Sequence, residues 1–280
     1  MLGNLAAIFF ALASAIVVAW GTVIRHRIAL DAHGSVMRAA MSTPLWWVGT
    51  GAAVVAYALQ LVALSFGTLL IVQPILVLSL MFTLPLAAWY SKRRMPFHEV
   101  FWCAALTIAV GIIIVYGRPS AGIAAPQWSD WWPSFLLGAL ILLALFVAAT
   151  FRPDQRALAL GTACGIIYGY VALVAKGVVD VLTDEGVGAA LLSWQLYALI
   201  LLAGTGTVVQ QYSFNAGSLS SSLPAMTIME PIVAFGLGYW VLGEQFQVSS
   251  ALGWSVMGGA LVVMVVATIV LSRVPVGSQR

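Results

Sequence analysis

The chain has 280 residues, 62% hydrophobic and 8% charged, with a formal net charge of +3 and a mean hydropathy of +1.04. Soluble domains carry about 25% charged residues, so most of this chain has no water-facing surface to dress. Nucleic-acid binding is excluded as well, because the twelve Lys and Arg are parcelled into short loops and form no basic face.

A membrane-spanning helix takes roughly 20 apolar residues, and apolar runs bounded by charge, Pro or Gly predict nine of them. The first covers 3–24. Ala11-Leu12-Ala13 and Ala13-Ser14-Ala15 mimic a signal-peptide cleavage site, but nothing charged precedes Arg25, so the run reads as a span. The second and third, 44–64 and 67–90, are separated by Ser65-Phe66 and predict a tight helical hairpin. The fourth, fifth and sixth cover 99–117, 131–150 and 157–178. The seventh and eighth, 193–213 and 217–241, meet at Asn215-Ala216 in a second hairpin, and the ninth covers 249–271. None of these runs alternates with the period of a membrane strand, which excludes a β-barrel. Cys103 and Cys164 lie within apolar runs and read as small core residues.

Basic residues set the expected orientation. Arg25, Arg27, Arg38, Lys92, Arg93, Arg94, Arg152, Arg156, Arg273 and Arg280 fall on the side of the C-terminus. The other side has Arg118 alone, with Lys176 near the end of a span, and it gathers Asp130, Asp180, Asp184, Glu185 and Glu244. This bias predicts a multi-pass plasma-membrane protein with its N-terminus outside and its C-terminus in the cytoplasm. Trp128, Trp131 and Trp132 mark the outer interface, and Trp46 and Trp47 the inner one.

A shift of 150 residues superposes Gln60 on Gln210, Gly67 on Gly217 and Pro74 on Pro224. Spans one to four then fall on spans six to nine. Partners are five spans apart, an odd number, so they cross the membrane in opposite directions. The expected fold is an all-α integral membrane bundle of nine spans, with two inverted four-span repeats joined by a linking span. Its divisions are 1–117 (spans one to four), 118–156 (span five with its flanking loops) and 157–280 (spans six to nine). Inverted repeats place a substrate site at the midplane and permit alternating access.

In the second half Phe214-Asn215-Ala216 leads into Glu230-Pro231-Ile232-Val233-Ala234, then Leu242-Gly243-Glu244, Gly253 and Gly258-Gly259. In the first half stand Trp46-Trp47-Val48-Gly49 and Val72-Gln73-Pro74. Over nearly its whole length the chain resembles the drug/metabolite transporter superfamily, in its EamA-like and NIPA-like branches. The resemblance implies a nine-span carrier and, for the NIPA-like branch, magnesium transport. Lys92-Arg93-Arg94 stands where an acidic residue would be expected after the third span.

Glu230 lies near mid-span with no charge within ten positions. A charge there costs at least roughly 2.5–3.5 kcal/mol, so it should face the bundle interior or a wet cavity. That setting would let it bind and release a proton or cation. Packing against a neighbouring helix is the alternative. Pro231 removes one backbone donor, which frees the carbonyl of Thr227 as an oxygen ligand, and Pro74 and Pro224 interrupt their helices in the same way. Helical spacing gathers Leu223, Met226, Thr227, Glu230, Ala234 and Gly238 on one face. The 150-residue counterpart of Glu230 is Leu80, so carboxylate chemistry is asymmetric between halves, and no second acid is expected to be buried.

Gln60, Gln73, Gln210 and Gln211 line a path or act as interhelical glue. Lys176 either snorkels to the interface or adds a positive charge to the cavity. Tyr168 and Tyr170 occupy different faces of one helix and cannot share a pocket. Gly161, Gly165 and Gly169 form a small-residue ridge for close helix approach, within one chain or between two copies in a homodimer. Gly204-Thr205-Gly206 lies inside an apolar span and is no nucleotide loop. His26, His33 and His98 are scattered and read as solvated. No catalytic constellation or ATP loop is present, so neither an enzyme nor a pump is expected, and no cofactor.

The expected function is a secondary transporter of a small solute, with Glu230 in ion or proton coupling. The candidate site comprises Glu230, Thr227, Gln60, Gln210, Gln73 and Lys176, with Glu230 as the metal ligand if the cargo is a cation. Two other readings stand beside it. One is a NIPA-like divalent-cation permease; the other is a non-catalytic membrane partner or lipid-carrier flippase component. Expected partners are the small-molecule or ion substrate and membrane lipid.

Overall fold

A computed structural model describes residues 2–31, 44–90, 92, 94–123, 126–216 and 219–274, without the side chains of 2, 25–31, 44–46, 50 and 219–221. Expectations resting on Arg25, His26, Arg27, His33, Arg38, Trp46, Arg93, Gly217 and Arg280 lie outside the described residues.

Long apolar runs become helices because a helix satisfies its own backbone donors and acceptors, as a lipid environment demands. In chain order they are α1 (Leu2–Asp31), α2 (Pro44–Phe66), α3 (Leu69–Val77), α4 (Ser79–Tyr90) and α5 (Phe97–Val115). Strand β1 (Pro119–Ser120) precedes α6 (Trp128–Phe151), a short 3-10 turn (Pro153–Gln155), α7 (Arg156–Asp184), α8 (Val187–Leu192) and α9 (Trp194–Asn215). Then come α10 (Leu219–Trp240), strand β2 (Gln245–Phe246) and α11 (Ala251–Ser272). Among the described residues seven segments are long and apolar enough to cross a membrane. Helices α9 and α10 are as long, 22 residues each, but less apolar. The chain is a membrane-type helical bundle.

The third expected span, 67–90, is two helices. At Leu78 the chain tightens to a three-residue turn, with its N–H bonded to the Ile75 carbonyl at 3.0 Å. Pro74 lies inside α3 and Pro85 inside α4, and each removes a backbone donor. The sixth span runs past 178 to Asp184, so Asp180 is helical and not in a loop. Neither α8 nor the strand pair was foreseen.

Helix α1 packs on α2, α3 and α4, and α7 packs on α9 and α10; between these groups α3 meets α10 and α5 meets α11. Helix α6 is peripheral: only 17% of its apolar stretch is buried, and it lies mainly along α7. It docks through Trp131 and Phe135, which meet Trp194 edge-on, while Phe135 also stacks on Tyr170. The Tyr170 hydroxyl donates to the Ser134 carbonyl. The α7 glycine ridge serves packing within the chain. A methyl group at Gly161 would stand 2.6 Å from the Ser222 carbonyl oxygen, and one at Gly165 2.6 Å from that of Met226. Both partners belong to α10, so the two backbones approach as closely as small residues allow.

The end of the bundle that carries most of the acids is tied by its loops. Strands β1 and β2 pair antiparallel, Pro119 opposite Phe246 and Ser120 opposite Gln245. Gln247 N–H donates to the Gly117 carbonyl at 2.9 Å, and Ile123 N–H to that of Leu242 at 2.7 Å.

Candidate functional site

A cavity of about 560 Å³ opens between α2, α7, α9 and α10. Its polar groups are Tyr57 and Gln60 from α2, Tyr168 from α7, Thr207 and Gln210 from α9, and Glu230 from α10. Val171, Ala172, Leu199, Ile200, Ala203 and Met226 supply hydrocarbon. Helices α9 and α10 contribute Thr207, Gln210 and Glu230 to this void.

Glu230 faces this space, and among the described residues no hydrogen bond or ion pair reaches its carboxylate. The Tyr57 hydroxyl, in the same cavity, is buried without a partner among the described residues. Behind Glu230 a short relay is satisfied internally. The Tyr168 hydroxyl donates to Gln210 Oε1 at 3.3 Å, Gln210 Nε2 donates to Met226 Sδ at 3.3 Å, and the Cys164 thiol contacts the same sulfur at 3.4 Å. Thr207 Oγ1 donates to its own helix at Ala203, 2.8 Å away, and keeps lone pairs for the cavity. The site can therefore accept hydrogen bonds and positive charge, and its lining includes no basic side chain.

Of the residues expected from the sequence, Glu230, Gln60 and Gln210 come together in the cavity. Tyr168 lines it and Tyr170 does not, in keeping with their different helix faces. The other expectations need correction. The Thr227 hydroxyl donates to the Leu223 carbonyl at 2.8 Å within its own helix and does not line the cavity. Gln73 is packed within α3, whose other residues are apolar, 2% exposed and with no partner for its Nε2 among the described residues. Pro74, Pro224 and Pro231 lie inside their helices without lining the cavity. Lys176 neither snorkels freely nor charges the cavity. Its Nζ donates to the Leu64 carbonyl at 2.9 Å and pairs with Asp180 at 2.6 Å, which joins α7 to the end of α2.

Two further acids are buried against expectation, Glu99 and Glu244, 4% and 2% exposed. Neither lines the cavity. Glu99 is in the first turn of α5, where the helix dipole favours negative charge. Glu244 caps α3: Leu69 N–H donates to Oε1 at 2.9 Å and Leu70 N–H to Oε2 at 3.0 Å. Gly243 makes the geometry accessible. Its φ of +64° turns the chain back after α10, a conformation that favours glycine. Gly238 leaves room for the carboxylate, since a methyl group there would stand 3.0 Å from Oε2. Burial pushes Glu244 up to about 7, against the pull of the two backbone N–H groups and Lys176. No cluster of three or more His, Cys, Asp or Glu that could hold a metal occurs among the described residues.

Sequence reasoning passes over Tyr57 and Thr207 in the cavity, the buried Glu99, and the capping role of Glu244. Tyr57 precedes Gln60 by three positions and so shares its helix face, a signal that was available. The capping role of Glu244 joins residues 175 apart and leaves no local trace.

No family model matches the chain, and no solved structure matches it. An uncharacterized protein of Corynebacterium glutamicum is 52% identical to it over 290 aligned positions, covering 100% of each chain.

Proposed function

This chain belongs to the family of that Corynebacterium glutamicum protein, and we propose that it is a secondary transporter of a small solute, with Glu230 as the coupling carboxylate. The observation that carries the reading is a mid-span acid with no hydrogen bond or ion pair among the described residues, set on a cavity between packed helices. An intramembrane ionisable group usually marks an ion or substrate pathway. A structural carboxylate would be expected to have found a donor.

The proposed architecture is nine spans in two inverted four-span repeats, with α6 as the link. Its support is the packing pattern. The α1–α2 contact has its counterpart in α7–α9, and the contacts of α1 with α3 and α4 have theirs in α7–α10. The cross-contacts α3–α10 and α5–α11 pair elements that the 150-residue shift makes equivalent. Inverted repeats of this kind rock about a shared site. The tied acidic end and the cavity beyond it fit one closed rim of such a cycle. The charge bias supports a plasma-membrane location with the N-terminus and the acidic end outside. The resemblance to the drug/metabolite transporter superfamily points the same way. A magnesium permease draws less support, because a divalent ion would meet a single carboxylate in the cavity.

The test is reconstitution in liposomes with a trapped pH dye and a panel of solutes, beside Glu230→Gln. Solute-driven proton movement by the wild type and none by the variant is the expected result. Equal solute flux in both proteins at every pH would sink the coupling role.

A further inference from the structure

Resting on the carrier reading, we infer the chemical class of the cargo: a monocationic amine that keeps N–H donors and has an apolar body but no carboxylate. Charge comes first. The cavity presents one carboxylate and no basic side chain. The nearest lysine, Lys176, is one helical turn beyond Ala172, and its ammonium is bonded to the Leu64 carbonyl and to Asp180 at the acidic end. The amides at the start of α3, which could otherwise receive an anion, are already held by Glu244. A zwitterion or an acid would therefore place its carboxylate beside Glu230 with nothing to neutralise it. A divalent ion would remain half-compensated.

Hydrogen-bond capacity narrows the class further. The open acceptors include the two oxygens of Glu230, the Gln60 amide oxygen and the Thr207 hydroxyl, with neither Glu230 nor Gln60 hydrogen-bonded among the described residues. A primary ammonium has three donors to offer. A fully methylated ammonium has none and would leave these acceptors unpaired, a loss that sites built on hydrogen bonds punish heavily. The rest of the cargo must be apolar. Val171, Ala172, Leu199, Ile200 and Ala203 form one flank, and the rings of Tyr57 and Tyr168 can take a cation's edge. A volume of about 560 Å³ falls in the range of small-molecule sites. Exchange then balances in charge: one proton leaves Glu230 as one ammonium arrives, so each half-cycle moves a neutral site.

Isothermal titration calorimetry on the purified full-length protein in detergent tests this, using phenethylamine, tryptamine, butylamine, N,N,N-trimethylphenethylammonium, phenylalanine and MgCl₂. Runs in two buffers of different ionisation enthalpy count the protons released. The expected result is amine binding with proton release, at least about tenfold weaker for phenylalanine and for the trimethyl analogue, a factor of ten being about 1.4 kcal/mol. Glu230→Gln should abolish both binding and release. If no amine binds, while a neutral or zwitterionic solute drives Glu230-dependent proton movement in the liposomes, the amine assignment is overturned and the carrier reading stands. If no amine binds and no solute in the liposome panel moves protons, with both proteins folded by thermal melt, both fall. Equal binding of phenethylamine and phenylalanine overturns the amine assignment alone.

Discussion

Glu230 and Glu244 lie fourteen residues apart on one stretch of chain, both withdrawn from bulk water, and their surroundings are opposite. Glu230 faces a void and, among the described residues, receives no hydrogen bond. Glu244 has a backbone N–H on each oxygen and fills a space that Gly238 leaves for it. Burial alone does not separate a working acid from a structural one. The unmet hydrogen-bonding capacity does: where the protein leaves it open, something else must come and go, and where the protein fills it, two elements are fastened together.

Glu230→Gln gives the largest expected contrast. It should reduce solute-driven proton movement to the level of empty liposomes while leaving the melting temperature within a few degrees, because no hydrogen bond or ion pair among the described residues is lost. A collapse of the fold would place Glu230 among the fasteners and erase the contrast. Glu244→Ala should do the reverse. Each buried N–H left without an acceptor costs roughly 1–3 kcal/mol, so a marked drop in melting temperature is expected, read by thermal unfolding in detergent. Glu244→Gln, which keeps one acceptor oxygen, should fall between the two.

The pH dependence sharpens the contrast further. Glu244 is raised from an ordinary 4.5 to about 7. Its own contribution to stability is therefore full below about 4.5 and is lost as pH rises through about 7. The cap itself has the opposite sign. Both oxygens are free to accept only in the carboxylate, so hydrogen-exchange protection of Leu69 and Leu70 should fall as pH drops through about 7. In Glu244→Gln that protection should be low and flat with pH. The smallest effect expected at this rim is that of Lys176→Met. It removes a largely buried ion pair, its side chains 16% and 19% exposed, and one donor to a carbonyl, a loss of about 0.5–1.5 kcal/mol, measurable in the same melts.

Much of the bundle was legible in the sequence because lipid imposes a length and a polarity on every span. Glu230 was legible for the same reason, as the one acid in the middle of an apolar run, and the coincidence of Gln60 with Gln210 under a 150-residue shift pointed to the same cavity. The failures share a cause. Thr227, Gln73 and Lys176 are polar residues in or near spans, and each proved to bond its own helix, to be packed in the core, or to fasten a neighbouring helix. Polarity in an apolar run signals a need for a partner and does not name the partner. Glu244 and the β1–β2 pair join residues more than a hundred positions apart, through elements two residues long that carry no periodicity.

The strand pair has a mechanical consequence. It ties the loop after α5 to the loop after α10 by a ribbon only two residues long on each side, at the rim where Glu244 and Lys176 also cross between elements. Such a ribbon resists separation but twists easily, so it can serve as a fulcrum. Helices of 22 residues are about 33 Å long at 1.5 Å per residue. A tilt of about 10° about that fulcrum would barely move the acidic rim, yet it would sweep the far end through about 6 Å, half the diameter of a helix. The leverage is set by helix length alone, and so the opposite end of the bundle is where displacement should be sought.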